Sequence, residues 1–268
     1  MEILGYFMAI LVGFSLGLVG GGGSILAVPV LAYLFGLDEK MATAYSLFVV
    51  GCAALIGALR QHQYGNVDRR TTIVFGFPAL LGVWIVRHFL VPALPDVLFS
   101  IAGFELSRRM GMFGMFSLLM IWAAYYMLSS KERKSGTGDF AYNYPVIVVE
   151  GLFVGGLTGF VGAGGGFLII PALILFANID VKRAIGTSLM IIAFKSLLGF
   201  LLGDALTSVI DWSFLLAFTG LAILGIFVGI GVGKFIEGTK LKRIFGFFVI
   251  AMACFILTME FIIQPLSN

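Results

Sequence analysis

Gly17-Leu18-Val19-Gly20-Gly21-Gly22-Gly23-Ser24 interrupts an apolar stretch, and the interruption recurs as Gly159-Phe160-Val161-Gly162-Ala163-Gly164-Gly165-Gly166. The same register carries outward from the glycines. Pro29 falls on Pro171, Asp38 on Asp180, Lys40 on Lys182, Ala42 on Ala184, and Ser46-Leu47 on Ser188-Leu189. About 13 of 32 positions agree from Gly17 to Phe48, too many in one register for chance among apolar residues. With one residue of slip Asp68 meets Asp211 and Gly82 meets Gly225, and further on Gly114 meets Gly246. The chain is therefore a duplication. Its first half carries about eleven extra residues, placed around Ala102 to Gly111.

Composition names the class. Of 268 residues, 60% are hydrophobic and 12% charged, with mean hydropathy +1.08. A soluble domain carries about 25% charged residues, so an ordinary soluble enzyme is excluded. The charges cluster, and between clusters run apolar stretches of about 20 residues, enough to cross ~30 Å of hydrocarbon. Ten-residue alternating strands, the mark of a membrane barrel, are absent from the sequence. Net charge +3 gives no reason to invoke nucleic acid. Cys52 and Cys254 lie in apolar runs, and two histidines, His62 and His88, are too few for a metal cage, so no metal or cofactor is expected. Met1 to Gly20 lacks a basic start and a cleavage site and reads as mature membrane segment. The 36 glycines, about 13% against an average of ~7%, suit close helix packing and broken helices.

Each half reads as one long glycine-broken segment and three plain spans: 3–36, 41–60, 71–91 and 112–129, then 146–178, 183–202, 213–232 and 244–263. As one helix, 3–36 would measure ~51 Å, too long for a single crossing, so a hairpin returning to its own side is expected. Charge supports the hairpin. With it, Arg60, Arg69, Arg70, Lys131, Arg133, Lys134, Lys182, Arg183, Lys234, Lys240, Lys242 and Arg243 share one face, against Lys40, Arg87, Arg108 and Arg109 on the other. If the long segments crossed, the split would be about six to ten, which the positive-inside rule disfavours. Three spans per half is an odd number, which inverts the second half. The expected fold is an all-α polytopic membrane protein of two inverted repeats, each a glycine-broken helical hairpin plus three transmembrane helices. Residues 1–130 form the first repeat, 131–145 a polar cytoplasmic linker and 146–268 the second. Both termini lie outside the cytoplasm of a bacterial or archaeal cell membrane.

Glycine breaks entering from opposite faces bring their tips together near the midplane. Helices restarting near Ser24 and Gly166 present N-termini, each with unpaired N–H groups and about half a positive charge, a preferred place for an anion. Matching interruptions in two halves mark a transporter's binding site. Glycines that merely pack helices are the plainer alternative.

The pattern G-x-V-G-x-G-G-G/S-x₄-P, followed by A-x-G/A-T/Y-S-L and repeated across the chain, resembles the sulfite exporter TauE/SafE family of membrane anion permeases. Ala184-Ile185-Gly186-Thr187-Ser188-Leu189 is the closer copy, and Tyr45 stands where the second half has Thr187. The resemblance implies transport, usually outward, of sulfite, sulfoacetate or other organosulfonates. Carried onto this chain, the substrate-lining positions are Gly20, Gly21, Gly22, Gly23 and Ser24, Gly162, Ala163, Gly164, Gly165 and Gly166, with Ser46 and Ser188.

Side chains inside the spans add candidates. Lys195 lies near mid-depth, opposite Ala53 of the other repeat, where a charge costs at least ~2.5–3.5 kcal/mol. It attracts an anion, or it pairs with a carbonyl. Ser46, Thr187, Ser188 and Ser196 donate to oxyanion oxygens, or bond back to their own helix. Glu150 is a coupling group or a headgroup-boundary residue. Arg60, Gln61 and His62 form an ordinary positive-inside loop in preference to an anion-gathering vestibule. Arg108 and Arg109 suggest a short interfacial helix. The functional expectation is a secondary transporter of small sulfur-containing anions, an exporter working by alternating access with a coupling proton or cation. A passive anion channel and a non-transporting accessory protein remain the alternatives. No clustered Ser/His/Asp, paired Cys/His or intramembrane Asp pair points to an enzyme. The anion, coupling ion and oligomeric state are left open.

Overall fold

The computed structural model describes residues 2–21, 23–90, 93–95, 97–101, 104–129, 144–161, 166–175, 179–205 and 209–263. The expected linker falls almost wholly outside them. In the first half α1 (Glu2–Val19) leads through the glycines to α2 (Gly23–Pro29), which loosens after Pro29 into a π-helical turn, Val30–Leu34. Proline supplies no N–H and clashes with the preceding turn, which accounts for the widened ladder there. Then follow α3 (Glu39–Gln63), α4 (Arg69–Ile85), a hairpin of β1 (Val97–Ile101) and β2 (Phe104–Ser107), and α5 (Arg108–Ser129). The second half repeats this as α6 (Tyr144–Val161), α7 (Gly166–Leu175), α8 (Val181–Gly199), α9 (Trp212–Gly233) and α10 (Gly238–Thr258). Among the described residues five helical spans, Lys40–Gln63, Arg69–Leu90, Val181–Asp204, Trp212–Gly233 and Gly238–Ile263, are long and apolar enough to cross a bilayer.

The helix starts follow from local chemistry. Asp38, Asp68, Asp180 and Asp211 cap α3, α4, α8 and α9, Asp38 accepting one backbone N–H of the first turn and each of the others two. The extra segment of the first half is where expectation and structure part. Arg108 and Arg109 open α5 itself, and ahead of them Val97–Ile101 pairs antiparallel with Phe104–Ser107 in place of an interfacial helix. β-branched and aromatic residues there favour an extended pair over a turn of helix.

The first segment is a hairpin. Tyr6 and Phe35 stack edge to face at 5.7 Å, so the chain ends α2 beside the start of α1. Packing then exchanges the halves. The first helix of each lies along the fourth of the other, α1 on α9 and α4 on α6, while α3 pairs with α8 and α5 with α10. Contact levels give the directions. Gly13 and Gly17 meet Ala222 and Ile226, and Gly225 and Gly229 meet Ile10 and Phe14, so α1 and α9 run parallel. Gly151, Gly155 and Gly159 meet Phe75, Ala79 and Val83 in the same sense. By contrast, Gly51 meets Leu197 and Gly57 meets Leu189, so α3 and α8 are antiparallel and cross between those levels. Outward the surface is greasy, with Ile73, Phe77, Trp122, Phe153, Phe227 and Phe247 exposed, while Ser46, Ser188 and Lys195 are buried. An apolar exterior around a partly polar interior is the arrangement a lipid solvent demands.

The glycine seams make a stability test. A β-carbon on Gly229 would strike the Phe14 carbonyl, whereas one on Gly231 of the same helix meets nothing within 4 Å. Gly229→Ala is expected to cost about 1–3 kcal/mol and lower the thermal midpoint in detergent. Gly231→Ala leaves it unchanged or higher. Equal effects would refute the parallel α1–α9 seam.

Candidate functional site

At the first break the helix ends because the backbone turns in a way only glycine tolerates. Gly20 has φ 76°, Gly20 N–H still donates to Leu16 O at 2.8 Å, and Gly21 N–H reaches back to Val19 O at 3.0 Å. Ser24 then donates to Gly21 O at 2.7 Å, closing the turn before α2 proceeds. The whole of α2 is buried. Gly166, first residue of α7, sits directly on Gly21, so close that a β-carbon there would overlap the Gly21 backbone. A β-carbon on Gly20 would lie 2.8 Å from Ser188 Oγ and 3.1 Å from Ile185 O. The start of α7 thus packs on the first break. Gly166 also touches Ile192, near the level of the α3–α8 crossing, with Gly20 about one turn nearer the Arg60 end. Gly22, Gly162, Ala163, Gly164 and Gly165 lie outside the described residues.

The hydroxyls divide. Ser188 donates to Ile185 O at 2.8 Å, bonding back to its own helix beside Gly20. Its counterpart Ser46 is wholly buried, and its hydroxyl has no hydrogen-bond partner among the described residues; the same holds for Ser196, next to Lys195. Thr187 accepts the Asp68 N–H at 3.0 Å, and Tyr45, at the equivalent position, accepts the Asp211 N–H at 2.7 Å. The two residue types do one job. Each hydroxyl takes a cap N–H at the start of a helix from the other half, which accounts for Tyr45 standing where Thr187 does.

Lys195 is 2% exposed, at the level where α3 and α8 cross, and its Nζ donates to Thr158 Oγ1 at 2.7 Å. Thr158, on α6 ahead of the second glycine run, in turn donates its hydroxyl to Gly155 O at 3.0 Å. Lys195 is therefore tied to α6, the helix that leads into the second glycine run. Two buried ionisable groups were missed in the sequence. Glu260, fully buried, accepts from Tyr33 Oη at 3.0 Å, and Lys242, counted above with the loops, has a buried side chain. Glu260 was legible as a lone acid within an apolar run, Thr258-Met259-Glu260-Phe261. Glu150 is only partly buried. At one end of the bundle Arg69, Arg70 and Arg183 line a shared depression, and Arg60 and Lys234 both lie over the Tyr64 ring, at 5.4 and 4.0 Å.

The first glycine break thus meets the start of α7 in an interior that holds the buried hydroxyls of Ser46, Ser188 and Ser196 and the ammonium of Lys195. The family pattern described as Sulfite exporter TauE/SafE matches residues 6–256. The chain belongs to the TauE/SafE family. A probable membrane transporter protein of Xylella fastidiosa strain 9a5c is 31% identical over 261 residues, covering 92% of this chain and 91% of the relative. The probable membrane transporter protein YunE of Bacillus subtilis is 24% identical, covering 92% and 94%. A shorter match, 31% over 123 residues, is to the probable membrane transporter protein MJ0441 of Methanocaldococcus jannaschii. This TauE/SafE chain is an integral membrane protein of a transporter family, and its small-molecule substrate and the lipid bilayer are its implied partners.

An unsatisfied buried hydroxyl costs about 1–3 kcal/mol. Ser46→Ala is therefore expected to leave the thermal midpoint of the unliganded protein unchanged or raised. Tyr45→Phe, which removes the acceptor of the Asp211 N–H, lowers it by the equivalent of ~1 kcal/mol. A comparable fall in both would mean that Ser46 is already satisfied.

Proposed function

We propose that the protein is a secondary transporter of small sulfur-containing anions, sulfite or an organosulfonate, working outward by alternating access. The observation that carries the reading is the contact of Gly21 with Gly166, where the first break meets the start of the helix that follows the second glycine run. The residues assigned to the anion are Gly20 to Gly23 and Ser24, Gly162 to Gly166, Ser46, Ser188 and Lys195; of these, Gly20, Gly21, Gly166 and Ser188 meet at the first break. Helix N-termini and serine hydroxyls supply neutral donors, and Lys195 supplies the charge. Thr187 and Thr158 hold neighbouring groups in place. The ammonium of Lys195, now on Thr158, moves onto the anion when it arrives; the hydroxyl of Ser46, now without an acceptor, gains one.

Inverted repeats fit the helix directions. Equivalent helices α3 and α8 run opposite ways, and the reciprocal bonds of Tyr45 and Thr187 relate the two ends of the bundle. In such a protein alternating access is a rocking of one repeat set against the other around a central site. The end bearing Arg60, Arg69, Arg70, Lys182, Arg183 and Lys234 is then cytoplasmic, and both chain termini lie outside.

Purified protein in liposomes is expected to move radiolabelled sulfite or methanesulfonate saturably, with acceleration by substrate on the far side. Flux at channel rates without that acceleration would favour a pore, and none across an anion panel would favour an accessory role. Lys195→Met should weaken anion affinity about tenfold or more, the worth of one charge-assisted bond, with stability kept or raised. Unchanged affinity refutes the role given to Lys195. In a chain lacking Cys52 and Cys254, a cysteine at position 135 should label from the cytoplasm and one at position 268 from outside. A terminus labelled from the cytoplasm would overturn the inverted arrangement.

A further inference from the structure

A cavity of about 330 Å³ opens at the basic end of the bundle, apart from the glycine site. Its mouth carries Lys182 in the first turn of α8, Lys234 capping the end of α9, and Tyr64 after α3. Deeper in lie Gln61 and Asn66, joined by a 2.8 Å bond from Asn66 Nδ2 to Gln61 Oε1. No lining residue is acidic. The nearby carboxylates are engaged elsewhere, Asp180 with backbone N–H groups and Arg183, Glu237 with Lys240. The Lys234 ammonium beside Tyr64 pulls its phenol below the ordinary range, a sign of net positive potential at the mouth.

The floor matters most. It is made of Leu18, Ile185 and Ile230, each at most 9% exposed. Ile185 is the residue whose carbonyl holds Ser188 against Gly20, and Leu18 lies two residues before Gly20. One layer of apolar side chains thus separates the cavity from the first break. At three of four polar lining positions the other half of the duplication has no polar side chain. Gln61 corresponds to Gly203 in the other half, Asn66 to Val209 and Lys234 to Val91, whereas Lys182 corresponds to Lys40.

We infer that this cavity is the anion-collecting entrance of the transporter: a small oxyanion is held first between Lys182 and Lys234, with Tyr64 and Asn66 as donors, above a plug of Leu18, Ile185 and Ile230 that shifts to admit it to Gly20. The inference rests on the transport reading given above, and it assigns entry to the basic face. Two lysines without a carboxylate partner among the described residues, at the mouth of a low-dielectric recess, raise the local anion concentration and the rate of capture, in a salt-dependent way.

A cysteine at Gly233 tests it, because a β-carbon there comes no nearer than 3.5 Å to its neighbours. In a chain free of Cys52 and Cys254, Gly233→Cys is treated with anionic sulfonatoethyl methanethiosulfonate and with its trimethylammonium counterpart. The anionic reagent should react about tenfold faster than in the Lys182→Gln/Lys234→Gln background, and methanesulfonate should slow it. Equal rates in both backgrounds, or no protection, overturn the entrance. Labelling does not depend on flux, so the two readings fail separately. Anion preference without liposome flux removes the transporter and keeps the anion site. Flux without anion preference does the reverse. Should Gly233→Cys not fold, Lys182→Gln/Lys234→Gln alone should raise KM for uptake from the basic face about tenfold at low salt with kcat kept. An unchanged KM there overturns the entrance as well.

Discussion

Backbone N–H and C=O groups inside hydrocarbon have no water to turn to, so a break in a helix at membrane depth stands only where protein encloses it. The rest of this structure serves that constraint. Gly21 is covered by Gly166 of the other half, its carbonyl is taken by Ser24, and all of α2 is buried. Enclosure needs very close helices. The glycine seams of α1 on α9 and α4 on α6 provide them, bringing backbone against backbone where any side chain would hold the pair apart. The same residue thus does two things in this chain. Gly17 and Gly159 pack helices, while Gly20, three residues beyond Gly17, turns the chain with φ 76°.

Because each half lends its first helix to the fourth of the other, and Gly166 lies on Gly21, the interior is a property of the pair. The reciprocal bonds from Asp68 N–H to Thr187 and from Asp211 N–H to Tyr45 tie the two ends by one device. Within this near-symmetry the chemistry is asymmetric. Lys195 has Ala53 as its counterpart, and its partner Thr158 has Leu16, so one cation sits at the crossing of α3 and α8 with nothing equivalent across it. Two such charges facing each other there would repel at low dielectric.

The membrane class and its helical segments were legible in the sequence because a bilayer imposes length and apolarity. The capping aspartates likewise announced the helix starts. Side-chain partnerships were less accessible. Nothing in the sequence distinguishes Ser46, without a partner, from Ser188, bonded to Ile185 O, since both follow the same local pattern. The hairpin of Val97–Ile101 and Phe104–Ser107 was missed because two arginines after an apolar run resemble an interfacial helix as well as the first turn of a span. Lys242 was counted as a loop cation, and Glu260 was passed over, because burial at the end of a helix depends on what packs there.

By itself the sequence determined the class, the eight apolar segments, the two glycine runs and the uneven distribution of charge, since each rests on properties summed along a continuous stretch of chain. Only the tertiary structure decided that Gly166 lies on Gly21, that Lys195 reaches Thr158, and that Gln61, Tyr64, Asn66, Lys182 and Lys234 surround one cavity. Those are meetings of residues from different helices. They follow from how closely, and in which direction, the helices pass one another, which local periodicity does not encode.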